Sequence, residues 1–436
     1  MPGKLLVDIE ALVLTGLVMG GILAFVIKRM RLRRPALAIG RPIVVGVGLR
    51  FVAIAGINST GVQDQLRGGD ESTFLAYAHA IAATPWGRGF LPHGSYQLQT
   101  EVFAFQIKLV GLSPTALRVT QIGMAMLGVV LIVAAVHDLA GPRAARFTAW
   151  ILALEPASIF FNSGLTKEPL MLFASGLVVF GGTKFWRRMD PAGALLVALG
   201  GLIAVETRSY AGWFLVSAAV LLTLHAALRR LDRPGRAMPI IYVVVVIVFL
   251  AAPTLLSNTS SQRLRTLQQS QNYTTGAQAA SNSGAPNGDN LAYESVDLST
   301  RGAVIRNLPI RLFDIVFKPF PWQLQDPSQQ LGAVGSVVAL GGLLLLFGYA
   351  WRSRGQILRL TAPVLYPLLF LLVAYALAAG NAGTGFRYRT HLVVLGVAML
   401  AILREHVLVS GAESLQPAAG SEGWAAEPRH QPPVPV

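Results

Sequence analysis

The chain has 436 residues, 53% of them hydrophobic and 13% charged, with a formal net charge of +15. Soluble domains carry about 25% charged residues, so a chain this apolar reads as an all-α, polytopic membrane protein. It contains no cysteine, which excludes disulfides, thiolate metal sites and thiol nucleophiles.

The N-terminus lacks the basic start and small-residue cleavage site of a signal peptide, and Leu5 to Ile27 is long enough to span despite Asp8 and Glu10. A bilayer core of about 30 Å takes about 20 apolar residues as a helix. That measure predicts about eleven spans, at 5–27, 42–58, 117–139, 147–164, 168–184, 192–207, 210–228, 238–256, 331–350, 360–379 and 391–408. Segments 1–41, 42–256, 257–330 and 331–408 then read as an extra span with its basic loop, the main membrane module, an outer loop and the closing spans. The interval 257–302 is rich in Ser, Asn, Gln and Gly, and a tail from about 409 is rich in Pro, Ala and Gly; both read as mobile.

Basic residues set the orientation. Lys28 to Arg41 follow the first span, Arg143 and Arg146 the third, Lys184, Arg187 and Arg188 the fifth, Arg229 to Arg236 the seventh and Arg352 to Arg359 the ninth. Every alternate loop is basic, so these loops belong to the cytoplasm, with the N-terminus outside and the C-terminus inside a plasma membrane. Meeting anionic lipid accounts for most of the charge without nucleic acid as a partner.

Five intervals fall outside: 59–117, 164–168, 207–210, 257–330 and 380–390. The first holds Asp70 and Glu71 after a glycine pair. Phe74, Tyr77, Ala78 and Ile81 follow at helical spacing with Asp70 on the same stripe, and Gln97 to Leu112 gives a second amphipathic stretch. Ser113-Pro114 has the chemistry of an N-cap and first helical residue. A carboxylate at the membrane surface can serve as a general base toward a hydroxyl, or simply favour a helix start. In Thr166-Lys167-Glu168-Pro169, Lys167 could meet a phosphate and Glu168 a sugar hydroxyl, or the pair could keep a turn wet. Arg208, Arg387 and Arg389 oppose the orientation bias in short outer loops, where guanidinium forks suit a bound phosphate or a lipid headgroup. Tyr77 and Tyr388 are the aromatic candidates beside them. Arg50 and Glu155 fall inside spans, where ionisable groups are costly and usually paired or functional, and the two could pair with each other. The seven histidines are scattered, and neither they nor the acids show the spacing of a dedicated metal cage, so no cofactor is expected and dependence on a divalent metal stays open.

The order of these parts resembles the GT-C superfamily of polytopic glycosyltransferases, near its bacterial protein mannosyltransferase and aminoarabinose transferase members. Gly69-Asp70-Glu71 with Tyr77 and Ala78 is similar to the family's acidic motif in the first outer loop. Gly94-Ser95-Tyr96, Leu109 to Ser113 and Ala116 to Val119 are similar to its loop helix and following span, and Ala140-Gly141-Pro142 through Pro156 to Thr166-Lys167-Glu168-Pro169 also fits. The resemblance implies inverting transfer of a sugar from a polyprenyl-phosphate carrier to a glycan, lipid or protein acceptor on the outer face. Asp70 would be the base, aided by Glu71, and Arg387 and Arg389 would hold the phosphate. Phe74 departs from the tyrosine common there, and the first span is extra. Two rival classes are a lipid-linked glycan flippase using Arg50 and Glu155, and a polymerase of lipid-linked repeat units.

Overall fold

The computed structural model describes residues 2–60, 70–85, 97–229, 296, 300–318, 320, 327–380 and 382–415, and among these it is helical without strands. Thirteen helices follow in order: α1 Pro2–Arg33, α2 Gly40–Thr60, α3 Asp70–Ala83, α4 Gln97–Val110, α5 Pro114–Leu154, α6 Pro156–Phe161, α7 Glu168–Arg188, α8 Pro191–Thr207, α9 Ser209–Leu228, α10 Arg301–Phe317, α11 Pro327–Arg352, α12 Ile357–Ala378 and α13 Ala382–Leu415. Six of them are long and apolar enough to cross a membrane: α1 over Asp8–Arg33, α5, α7, α9, α12 and α13 over Gly383–Ser410. Pro191–Thr207 and Ser336–Arg352 are shorter apolar helices. The expected span 238–256 lies outside the described residues, as do most of 257–302 and the tail beyond Leu415.

The spans expected at 117–139 and 147–164 are one helical element bent back on itself. Gly141 inside α5 has φ 89° and ψ −178°, and Pro142 follows. A Cβ on Gly46 would lie 3.1 Å from Met126 and 3.3 Å from Ala153, so both residues flank one point of α2. Twenty-seven residues of straight helix would part them by about 40 Å. The chain therefore reverses at Gly141, in a backbone region reserved for glycine. Gly141→Ala is expected to cost about 1–3 kcal/mol, read as a lower unfolding temperature in detergent. The returning limb breaks again at Glu155, whose carboxylate accepts from Ala157 N at 3.1 Å and from Ser158 N, capping the six-residue α6.

Helix directions follow from paired contacts. Met19 meets Gly123, and Arg34 pairs with Asp138, so α1 and the first limb of α5 advance together. The carbonyl of Leu172 lies 2.6 Å from where a Gly128 Cβ would sit, and that of Gly128 is 2.7 Å from the same point on Gly176. No side chain fits between α5 and α7 there. Gly181 faces Gly193 and Gly200 faces Ala174, which runs α8 antiparallel to α7. The ends of these helices form two polar layers. At one end Arg34 Nε donates to Asp138 at 2.6 Å, Lys184 pairs with Asp190 at 3.1 Å, and Arg229 covers Trp186 at 4.6 Å. The other end holds residues from the first, second, third and fifth of the intervals read as outer, together with the last turn of α10.

Several local readings change. Ser113 does cap α5, accepting from Ala116 N at 3.4 Å, with Pro114 first in the helix. On α3 the buried stripe is Glu71, Phe74 and Ala78, whereas Tyr77 is 53% exposed and leaves it. On α4 the buried residues are Gln99, Thr100, Phe103, Ala104 and Ile107, while Leu109 points outward. Gln106 is bonded across helices, donating to Thr15 at 3.1 Å and accepting from Thr120 at 2.6 Å. Helix α13 begins at Ala382 rather than near 391 and runs to Leu415, so the segment after 409 starts as helix.

Candidate functional site

The segment 162–168, between α6 and α7, is the point on which this polar end converges. From one side comes the start of α3. Glu71 pairs with Arg118 at 3.0 Å and accepts from Leu165 N at 2.9 Å, and all three residues are buried. Lys167 Nζ stands 5.7 Å over the ring of Phe74. Phe74, Ala78, Phe103, Leu117 and Leu165 form an apolar cluster beneath. The Asp70 backbone opens α3; its side chain lies outside the described part. Glu71 is thus an anchor that fixes where Asp70 stands.

From the other side comes a closed ring of contacts around Glu168. Arg208 Nη2 donates to Glu168 Oε1 at 2.9 Å, and its guanidinium lies 4.6 Å over the Tyr388 ring. Tyr388 stacks on Tyr375 at 4.5 Å and shares a hydrogen bond with the hydroxyl of Tyr210. Tyr375 and His391 Nδ1 are 3.0 Å apart, and His391 Nε2 lies 3.0 Å from the Glu168 carbonyl oxygen. A carbonyl only accepts, so Nε2 carries the proton and, in the neutral imidazole, Nδ1 accepts from Tyr375. Among the described residues Arg208 Nη1 is buried with no hydrogen-bond partner within geometric limits, although the guanidinium also acts on the Tyr375 hydroxyl.

The sequence candidates separate accordingly. Glu168, Arg208 and Tyr388 come together, and Lys167 adjoins them in the chain. Arg387 acts on Glu168 electrostatically. Arg389 does not join them. Two residues along a helix point about 200° apart, and Arg389 donates to Ile315 O at 3.0 Å, Ser336 Oγ at 2.7 Å and Lys318 O. It clamps α10 and α11 to α13. Tyr77 faces outward. Arg50 and Glu155 make no direct ion pair: Arg50 donates to Gly46 O at 2.9 Å and Ser158 Oγ at 3.0 Å, while Glu155 holds the backbone of the same Ser158. Tyr210, Tyr375, His391 and Arg118 were missed. Only Arg118, a charge in an apolar run, carried a signal.

Glu101 on α4 borders this end, and burial first, then the charge of Glu206, raises its carboxyl above the ordinary glutamate range near 4.5. A raised carboxyl pKa means the folded chain holds the proton more tightly, so stability falls as pH rises through that range. Glu101→Gln is expected to raise the unfolding temperature at pH 7 and leave it unchanged at pH 4, as a thermal-shift series would read.

Among the described residues no group of three or more His, Asp or Glu is placed to hold a metal ion. No protein-family model matches the chain, and neither does any curated protein or solved structure.

Proposed function

We propose that the protein is a membrane glycosyltransferase that moves a sugar from a polyprenyl-phosphate carrier to an acceptor hydroxyl on the extracytoplasmic face, with inversion. The observation that carries this reading is the convergence of the Asp70–Glu71 helix start and the Arg208–Glu168–Tyr388 ring on one segment, 162–168, at one end of the bundle. A base and a phosphate-holding cation within one region suffice for a direct displacement. Asp70 takes the acceptor's proton, the acceptor oxygen bonds to the sugar's anomeric carbon, and the bond from that carbon to the phosphate oxygen breaks. Arg208, through Nη1, and Arg387 neutralise the charge that develops on the departing polyprenyl phosphate. Tyr388 and Tyr210 keep the Arg208 guanidinium flat and in place.

In this reading the chain crosses the membrane eleven times, with the two limbs of α5–α6 counted separately and one crossing at 238–256. The ring of Glu168 then faces outside and the Arg34–Asp138 layer faces the cytoplasm. The flippase reading is less well supported, because Glu155 is taken up in capping α6 and Arg50 in binding Gly46 and Ser158.

The test is transfer itself. Purified protein in proteoliposomes, given carriers bearing one labelled sugar, is expected to release polyprenyl phosphate and label an envelope acceptor. Label that crosses the bilayer still attached to its carrier would identify a flippase, and activity confined to multi-sugar carriers would identify a polymerase.

A further inference from the structure

Three buried side chains below the site keep an unused hydrogen-bonding atom: Arg50 Nε, Gln121 Oε1 and Asn162 Oδ1. The residues are 0%, 3% and 1% exposed. They belong to α2, α5 and the turn after α6. Arg50 and Asn162 meet at Ser158 Oγ, which accepts from Arg50 Nη2 at 3.0 Å and from Asn162 Nδ2 at 2.7 Å, while Arg50 Nη1 donates to Gly46 O at 2.9 Å.

Register places the three at one depth. Gly46 faces Met126, and α2 runs against the first limb of α5, so Arg50 stands level with the turn that carries Gln121 and Ile122. Ser163 Oγ, 3.3 Å from the Arg50 carbonyl oxygen, brings the 162–163 turn to the same level. Arg118, which meets Glu71, comes one helical turn further out, about 5 Å.

The three atoms are one donor and two acceptors. A phosphate offers only acceptors and would be opposed by the two amide oxygens. An ammonium offers only donors and would be opposed by the guanidinium. An apolar group would leave all three unmet, each buried polar group then standing about 1–3 kcal/mol above its bonded state. A hydroxyl both donates and accepts, and a polyol brings several. We propose that Arg50, Gln121 and Asn162 form a hydroxyl-binding subsite, filled by ring hydroxyls of the transferred sugar and placed one turn inward from the Glu71 anchor. The assignment of a sugar rests on the transfer reading above; internal water is the other source of the same chemistry.

Binding measurements on the full chain in nanodiscs separate the two. The probes are bare polyprenyl phosphate and polyprenyl phosphates bearing a panel of single pentoses and hexoses. The wild type is expected to bind at least one glycosylated probe about tenfold tighter than the bare carrier. Gln121→Met and Asn162→Leu, which keep side-chain volume and remove the polar atoms, are each expected to cut that preference about 3–10-fold without changing bare-carrier affinity. Deoxy versions of the preferred sugar read the same bonds in the unaltered protein, with a similar loss expected for one or two ring positions. Full preference in both variants, or no loss with any deoxy sugar, assigns the three atoms to water and overturns the subsite alone. A wild type with no affinity for any carrier overturns the transfer reading first.

Discussion

Asp70→Asn is expected to lower sugar transfer by about 10²–10⁴-fold, the range for loss of a positioned general base. Asparagine has the shape of aspartate without its charge, so α3 should start where it does now. What it lacks is the ability to take a proton. Donor binding should therefore stay within about threefold of wild type, which separates a lost base from a lost fold. Glu71→Gln is the control with the opposite signature. It weakens the charged bonds to Arg118 and Leu165 N, 3.0 and 2.9 Å long, and should act through stability, by about 1–3 kcal/mol. Transfer and donor affinity would then fall together as α3 loosens. Normal transfer by Asp70→Asn removes this carboxylate from the mechanism.

Arg208→Met should be the most destabilising single change at the site. Glu168 is 1% exposed, and losing the Arg208 ion pair leaves a buried carboxylate without its direct charge partner, at a cost of about 3–5 kcal/mol. The paired change Arg208→Met with Glu168→Gln removes both charges and should recover most of that loss. If Arg208 also meets the carrier phosphate, the double variant will unfold near the wild-type temperature yet bind polyprenyl phosphate at least tenfold more weakly. Recovery of both stability and carrier binding would confine Arg208 to a structural role.

The all-helical, membrane-embedded character was legible in the sequence, because twenty-residue apolar runs are local signals. The Ser113 cap and the Gly141-Pro142 break are local too. The ring around Glu168 was only half legible. Lys167, Glu168 and Arg208 stand out as charges beside apolar helices, but Tyr375 and His391 lie 207 and 223 positions from Glu168, and although His391 follows Arg389 closely, nothing local ties either residue to Glu168. Only tertiary packing joins them. Arg387 and Arg389 looked equivalent because both fall in the interval 380–390, which reads as one short outer loop between apolar runs. Once α13 starts at Ala382, helical geometry sends the two guanidinium groups different ways. Tyr77 failed for a related reason: Glu71, through Arg118, sets the rotation of α3, and that turns Tyr77 out.

The reversal at Gly141 also bears on how the chain is made. The returning limb runs from Pro142 to Leu154 before Glu155 interrupts it. Thirteen residues of helix reach about 20 Å, short of a bilayer core of about 30 Å. As it leaves the ribosome, this limb cannot be held in the membrane by its own length, and it carries Arg143 and Arg146 at its start. In the proposed eleven-crossing topology its retention would depend on α2, which offers Gly46 and Arg50 to receive it. Assembly of the region would then be ordered in time, the second helix in place before the fifth folds back on it.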